Sequence, residues 1–212
     1  MKESQNTPIE DLDRLTYPAS STSVDRYIFA NHWTKGKTVL DAATGKGYGA
    51  GILLSLGAKS VVGIDIDKEG VQEANTRLSS TNCKYEVVDI FNLQSQFKED
   101  EFEVCTSIET FEHLPPERID EYLQSLKHCT KETIIITTPR RKVPVWQYNG
   151  GTHLYEYDVN EMTIILSRNF PDCEINAMGL NEIRLPGGQW GTDITFDLEN
   201  CWVFFCIVNL KK

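Results

Sequence analysis

Uniformly apolar stretches alternate along the chain with segments whose apolar residues recur at helical spacing. The uniform stretches predict buried strands, because a strand covered on both faces lacks alternating polar positions. Strands are predicted at 37–43, 60–65, 84–89, 103–108, 133–138, 173–178 and 201–210. Helices are predicted at 24–33, 48–56, 68–79, 116–129 and 159–170.

This order of strands and helices predicts a doubly wound α/β fold. We expect a mostly parallel, seven-stranded, Rossmann-like sheet with helices on both faces, because crossovers between parallel strands are right-handed. Residues 37–212 would form this domain, and residues 1–36 an N-terminal arm that ends in a lid helix. In such sheets ligands bind beyond the carboxyl ends of the strands.

A glycine-rich turn follows the first strand, in the sequence VLDAATGKGYGAG at Val39–Gly51. Gly45 and Gly47 let the backbone turn tightly and approach a ligand, since no Cβ intervenes. The next helix presents unpaired N–H groups and the positive end of its dipole to an anionic group. By itself this loop indicates a nucleotide-like ligand.

Two acidic residues at the ends of the next two strands extend this loop into an adenosine site. Asp65 is placed to accept hydrogen bonds from ribose hydroxyls, and Asp89 from the adenine amino group. Ile66 and Ile90 follow them and are expected to flank the ring. The spacing also permits NAD, although no second mononucleotide-binding half follows. A P-loop is excluded because no Gly-Lys-Ser/Thr follows the turn.

The segment resembles motif I of class I S-adenosylmethionine-dependent methyltransferases, especially the type 11 group, and the likeness runs from Arg26 to Phe170. That group has glycines two, four and six residues after the motif's Asp, and here Ala43 departs from the pattern. The resemblance implies S-adenosylmethionine as the cofactor, with its methionine part near Asp41. The predicted cofactor-binding residues are Asp41, Ala43, Gly45, Gly47, Asp65, Ile66, Asp89 and Ile90.

A cluster of carboxylates and imidazoles follows the fourth strand, where Glu109, Glu112 and His113 form an E-x-x-E-H motif. In a helix these positions share one face, so we expect the side chains to converge. His153 follows the fifth strand at the same sheet edge. The four side chains suit a divalent metal, with Mn²⁺, Fe²⁺ or Co²⁺ favoured over Mg²⁺. A metal-free role, with Glu109, His113 or His153 as general base, and a purely structural role are the alternatives.

The motif and the later histidine resemble the metal site of small-RNA 3′-terminal 2′-O-methyltransferases. Ubiquinone-biosynthesis O-methyltransferases share the E-x-x-E-H part. Taken together with the type 11 likeness, these resemblances imply a methyltransferase, and we expect it to methylate an oxygen of a small molecule, a sugar or a glycan. A small-RNA 2′-O-methyltransferase and a non-catalytic S-adenosylmethionine-binding module are the alternatives.

The charge and composition of the chain limit the classes of binding partner that we expect. A net charge of −10 and a pI near 4.9 disfavour nucleic acid. No apolar run reaches the roughly 20 residues of a membrane span, and the polar start lacks a signal sequence, so we expect a cytoplasmic protein. The six scattered cysteines are expected to be free thiols.

Two further groups of residues leave their roles open. The basic run at 140–142 is either a solvated loop or an anion-steering site. Aromatic residues on the acceptor side form either a lid or part of the core. These residues are Tyr17, Tyr27, Trp33, Trp146, Tyr148, Tyr155, Tyr157 and Trp190.

Overall fold

The computed structural model describes residues 21–143, 153–184 and 190–211. The helices are α1 (Ser21–Thr34), α2 (Tyr48–Ser55), α3 (Lys68–Leu78), α4 (Ile119–Cys129) and α5 (Val159–Asn169). The strands are β1 (Thr38–Ala42), β2 (Ser60–Asp65), β3 (Cys83–Val87), β4 (Phe102–Ile108), β5 (Thr130–Pro139), β6 (Glu174–Arg184), β7 (Trp190–Thr195) and β8 (Val203–Asn209). None of the helices in these ranges is long and apolar enough to cross a membrane.

The strands of the described residues form one sheet in the order β3-β2-β1-β4-β5-β8-β6-β7. The first five of these are parallel, while β8 runs antiparallel to both β5 and β6. The predicted doubly wound α/β class is confirmed. All the predicted strands and helices named above are present, with bounds that differ by at most three residues except at the end of β6, which runs six residues further than predicted.

The predicted strand count of seven is wrong, because the described residues contain an eighth strand, β7. Among the described strands it lies at the sheet edge and pairs with β6 alone. Its sequence WGTDIT mixes polar and apolar residues and follows the glycines of the run GGQWG. An edge strand is stabilised by backbone pairing, so it needs no continuous apolar run that a sequence pattern would reveal.

Strand β5 shows how the sheet separates two layers of the core. Ile134 and Ile136 belong to a core with Leu126 of α4, whereas Ile135 belongs to a second core with Leu53 of α2. Successive side chains of a strand point to opposite faces, so a run of isoleucines fills both layers. Helices therefore cover both faces, which is why the central strands are apolar throughout.

Helix α1 covers the face of the sheet that also carries α2. The rings of Phe29 and Trp33 pack on Phe205 of β8, with centroids 6.5 and 6.0 Å apart. Asp25 accepts a 2.6 Å hydrogen bond from the hydroxyl of Thr192 in β7. The predicted lid helix is thus packed on the domain, and Trp33 contributes to the core. The rest of the predicted arm, residues 1–20, lies outside the described residues, as do Tyr17, Trp146, Tyr148 and the side chain of Trp190.

The cysteines are free thiols, as predicted. Five of the six are buried, and Cys173 is partly exposed. They lie in both core layers, where a thiol packs as a small apolar group.

Candidate functional site

The glycine-rich turn after β1 adopts left-handed backbone conformations at three alternate residues. The φ angles are 61° at Ala43, 57° at Gly45 and 82° at Gly47. A Cβ in this region costs roughly 1–2 kcal/mol, whereas glycine adopts it without that penalty. The departure at Ala43 therefore occurs at a position whose backbone favours glycine, and its side chain is only partly buried.

The two glycines of this turn differ in the space around them. A Cβ on Gly47 would lie 2.5 Å from Cε1 of Tyr85 and 2.7 Å from Cβ of Ala74. A Cβ on Gly45 would meet no atom within 4 Å from the other described residues, its two chain neighbours aside. Gly45→Ala is expected to destabilise the protein by about 1 kcal/mol through backbone strain alone, and Gly47→Ala by about 3 kcal/mol or more. Urea unfolding of the two variants measures the difference in their free energies of unfolding. Equal losses of stability would contradict the prediction that the contacts of a Cβ at Gly47 add to its backbone strain.

Asp41 lies beneath the turn and is fully buried. Its carboxylate accepts hydrogen bonds from the hydroxyls of Thr44, at 2.6 Å, and Thr106, at 2.8 Å. Burial raises the pKa of Asp41 to about 6, although these two hydrogen bonds act in the opposite direction. The predicted role of Asp41 near the methionine part of the cofactor stays a prediction. The structure shows that its carboxylate is bonded to Thr44, which is part of the glycine-rich turn.

Tyr27 of α1 reaches the same buried carboxylate. Its side chain hydrogen-bonds to Asp41, and burial, with the nearby negative charge of Asp41, raises the pKa of the Tyr27 phenol. The ring lies so close to the backbone of Gly49 that a Cβ there would overlap it. Tyr27 thus joins α1 to the start of α2, a contact that the aromatic pattern alone did not specify.

Asp65 ends β2, and its carboxylate faces the glycine turn. Its Oδ2 accepts a 2.7 Å hydrogen bond from the N–H of Gly45, and its Oδ1 a 2.9 Å bond from the N–H of Asp67. A carboxylate oxygen has two acceptor sites, so each oxygen keeps capacity for one more donor. The side chain is only partly buried, which leaves that capacity accessible.

The predicted adenine-side residues lie at the same edge of the sheet. Asp89 is exposed, and its Oδ1 accepts a 3.0 Å hydrogen bond from the N–H of Phe91. Ile66 is 70% exposed, while Ile90 is partly buried against the core. Because β1, β2 and β3 are parallel neighbours, their carboxyl ends bring the turn and these residues together.

The E-x-x-E-H motif does not form the continuous α-helix on which the expected convergence of Glu109 with Glu112 and His113 depended. Glu109 has a φ of 52°, and a short 3₁₀ turn follows at Phe111–His113. The left-handed residue turns the chain directly after β4, so the helical spacing rule does not apply. The Oε1 of Glu109 accepts a 2.8 Å hydrogen bond from the hydroxyl of Thr137 and lies 3.5 Å from Nε of Arg26.

Glu112, His113 and His153 nevertheless meet, with one potential ligand atom of each within 4.8 Å of the others. Glu109 is not in this group. Glu112 is 1% exposed, and its Oε2 accepts a 2.9 Å hydrogen bond from the hydroxyl of Thr138. Its Oε1 is buried without a hydrogen-bond partner among the described residues and lies 3.8 Å from Nε2 of His113. Burial, followed by the charge of Glu109, raises the pKa of Glu112 to about 7.

His153 enters this group from the chain that follows β5. Its Nδ1 lies 2.8 Å from Oε1 of Glu156, and its ring packs edge-on against His113 with centroids 4.9 Å apart. The carbonyl oxygen of Glu112 accepts hydrogen bonds from the backbone N–H groups of Leu154, at 2.8 Å, and Tyr155, at 3.1 Å. Backbone contacts therefore bring the two segments together.

Arg141 binds the residues that follow His153 in the chain. The side chain is 6% exposed and pairs with Asp158 at 2.8 Å and with Glu161 at 2.9 Å. It also donates to the hydroxyl of Tyr155 at 2.7 Å. Arg141 is therefore neither a solvated loop residue nor an anion-steering group. The acidic residues of the sequence DVNE, which also form the capping box of α5, were the signal for its burial.

Comparisons with known proteins find one matching family and a set of solved structures with a similar fold. Residues 39–133 match the family described as a methyltransferase domain. A comparison with curated protein sequences finds no match.

Several solved structures overlay on most of the chain. A SAM-dependent methyltransferase from Archaeoglobus fulgidus is 17% identical, with a TM-score of 0.67 over 95% of this chain and 100% of that one. The magnesium protoporphyrin IX methyltransferase of Synechocystis PCC 6803, solved with bound SAH, is 18% identical, with a TM-score of 0.63 over 90% and 83%. The methyltransferase domain of bacterial CtHen1-C is 16% identical, with a TM-score of 0.65 over 90% and 97%. The family match covers residues 39–133, and the overlays show that the chain has the fold of S-adenosylmethionine-dependent methyltransferases. Together they support a class I S-adenosylmethionine-dependent methyltransferase.

Proposed function

We propose that this methyltransferase transfers the methyl group to a hydroxyl oxygen of a small molecule, a sugar or a glycan. The observation that carries the proposal is that Oε1 of Glu112, beside the imidazoles of His113 and His153, is buried without a hydrogen-bond partner in the described part of the chain. These groups follow β4 and β5, next to the carboxyl end of β1, where the glycine turn begins. An acceptor at this edge would lie beside the methyl donor.

The proposed cofactor site uses the carboxyl ends of β1, β2 and β3. Asp65 would accept from the ribose hydroxyls with the acceptor sites that Gly45 and Asp67 leave. Exposed Ile66 would cover one face of the adenine, since burying its apolar surface is favourable. Asp41 would act indirectly, because its buried carboxylate holds the turn that contacts the methionine part.

A divalent metal is the second element of the proposal, and the residues present fit one. A buried carboxylate oxygen without a hydrogen-bond partner is costly, and a bound cation would remove that cost. One carboxylate oxygen and two imidazole nitrogens form a donor set that suits Mn²⁺, Fe²⁺ or Co²⁺ better than Mg²⁺. Glu112, His113 and His153 would hold the ion, and Glu109 lies outside the set.

The chain's own residues then have distinct tasks in the reaction. S-adenosylmethionine would supply the methyl group to an acceptor oxygen held in line with it, so that the O–CH₃ bond forms as the S–CH₃ bond breaks and its electron pair stays on sulfur. A bound ion would lower the pKa of the acceptor hydroxyl. The released proton needs a nearby base. Glu109 is suited to this task, because its carboxylate is partly exposed and lies near the proposed metal ligands. Its closeness to them is seen in its negative charge raising the pKa of Glu112.

A small-RNA 2′-O-methyltransferase is the second candidate. The grouping of Glu112, His113 and His153 favours it, since the E-x-x-E-H motif with a later histidine resembles that family's metal site. The solved CtHen1-C domain also has this fold. The net charge of −10 opposes RNA binding, because an anionic surface repels the phosphate backbone.

A methyl-transfer screen tests the proposal. The purified chain would be incubated with labelled S-adenosylmethionine and with separate metabolite, glycan and small-RNA pools, in the presence of Mn²⁺ or of a chelator. We expect label on a hydroxyl-bearing small molecule or glycan, with a rate that falls in chelator and returns with Mn²⁺. Label at RNA 3′ ends would favour the second candidate.

Two results would contradict the proposal. If a folded sample binds neither S-adenosylmethionine nor S-adenosylhomocysteine in calorimetry, the cofactor assignment is wrong. If the rate of methyl transfer is the same in chelator, the metal assignment is wrong, although the methyltransferase assignment stands.

A further inference from the structure

We infer that Glu156 is a positioning residue that orients His153 for metal binding, an inference that rests on the proposed metal site. Oε1 of Glu156 lies 2.8 Å from Nδ1 of His153, and both side chains are partly buried. With Nδ1 bound in this way, Nε2 is the imidazole nitrogen left to bind an ion together with Glu112 and His113. The carboxylate thereby selects the tautomer of His153 and fixes the plane of its ring.

The backbone around Glu156 is held independently of its side chain. Its carbonyl oxygen accepts a 2.8 Å hydrogen bond from Nη1 of Arg141, which also pairs with Asp158 through Nη2. Leu154 and Tyr155 donate their backbone N–H groups to Glu112. Removing the Glu156 carboxylate should therefore leave the segment in place and release the His153 ring alone.

The expected consequence concerns metal affinity. A carboxylate that accepts from the second nitrogen of a metal-bound imidazole makes the first nitrogen a stronger donor. It also holds the ring in the orientation that the ion requires, so less rotational freedom is lost when the ion binds. Loss of such a partner typically lowers metal affinity about 10- to 100-fold.

The test is a Mn²⁺ titration of the full chain without cofactor, in which the electron paramagnetic resonance signal measures free Mn²⁺. We expect Glu156→Ala to raise the Kd for Mn²⁺ about 10- to 100-fold. Glu156→Gln should have a smaller effect, because its carbonyl oxygen still accepts from Nδ1–H but carries no charge. The control is Glu99→Gln, which removes one negative charge from the exposed turn before β4, at the opposite edge of the sheet.

We expect all three variants to keep wild-type affinity for S-adenosylmethionine in calorimetry. A Kd for Mn²⁺ in Glu156→Ala within twofold of the wild-type value would overturn the inference. If Glu156→Ala does not fold, Glu156→Gln decides, and wild-type Mn²⁺ affinity in that variant overturns it. Wild-type protein that binds S-adenosylmethionine but no Mn²⁺ would overturn the inference and the metal site, while the cofactor assignment would stand.

Discussion

Asp65→Ala is expected to weaken S-adenosylmethionine binding by about 100-fold or more. The proposed ribose contacts are two hydrogen bonds to a charged acceptor, each contributing roughly 1.5–3 kcal/mol, and 1.4 kcal/mol corresponds to tenfold in affinity. The substitution also removes the acceptor of the Gly45 N–H, at 2.7 Å, so the glycine turn would lose part of its support. Both effects act on the same bound molecule.

Calorimetric titration with S-adenosylmethionine measures this loss. Asp67→Ala is the matched control, because Asp67 lies two residues away and caps α3 through the N–H of Glu69. Loss of a helix cap costs about 1 kcal/mol of stability and should leave cofactor affinity nearly unchanged. If both variants lost affinity equally, Asp65 would have no specific role in binding the ribose.

His113→Ala is expected to lower the rate of methyl transfer by about 100-fold or more while leaving cofactor affinity intact. The substitution removes one of the three donors that would hold the ion and so would weaken activation of the acceptor hydroxyl. The His113 side chain is 47% exposed, so its loss should cost little stability. Binding and turnover are thereby separated.

Single-turnover rates with saturating cofactor and Mn²⁺ measure this effect. His32→Ala is the control, because His32 is an exposed imidazole on α1 whose ring packs on Trp33. We expect His32→Ala to retain the wild-type rate. A His113→Ala enzyme with an equally unchanged rate would mean that the imidazole takes no part in the reaction.

The proposed donor and acceptor sites are built by neighbouring strand ends. β1, β2 and β3 carry the predicted cofactor residues, and β4 and β5 are followed by the segments that carry Glu112 and His153. Helix α1 contacts the proposed donor side through Tyr27 and Asp41 and the proposed acceptor side through Arg26 and Glu109. The predicted lid helix thus touches both sites.

The glycine turn was predictable because its requirements are local. Left-handed φ angles at Gly45 and Gly47 favour glycine wherever they occur, so the pattern marks the turn directly. The E-x-x-E-H motif shows the limit of such reasoning. Its helical spacing predicted that Glu109 would join Glu112 and His113, but the φ of 52° at Glu109 directs that side chain to Thr137 and Arg26.

The sequence by itself determined the fold class, the order of the strands along the chain and the position of the glycine turn. These features follow from apolar periodicity and from backbone preferences, which act within a few residues. Edge strand β7 was not predicted, because backbone pairing to β6, and not an apolar run in its sequence, holds it in the sheet.

Only the tertiary structure decided which acidic and basic groups meet. Glu112 joins His113 and His153, Glu156 binds His153, and Arg141 is buried among acidic partners. Each of these contacts depends on how segments after different strands pack together. Burial and the charge of Glu109 raise the pKa of Glu112, and its Oε1 is buried without a hydrogen-bond partner among the residues that the structure describes. Both features come from that packing and not from any local sequence pattern.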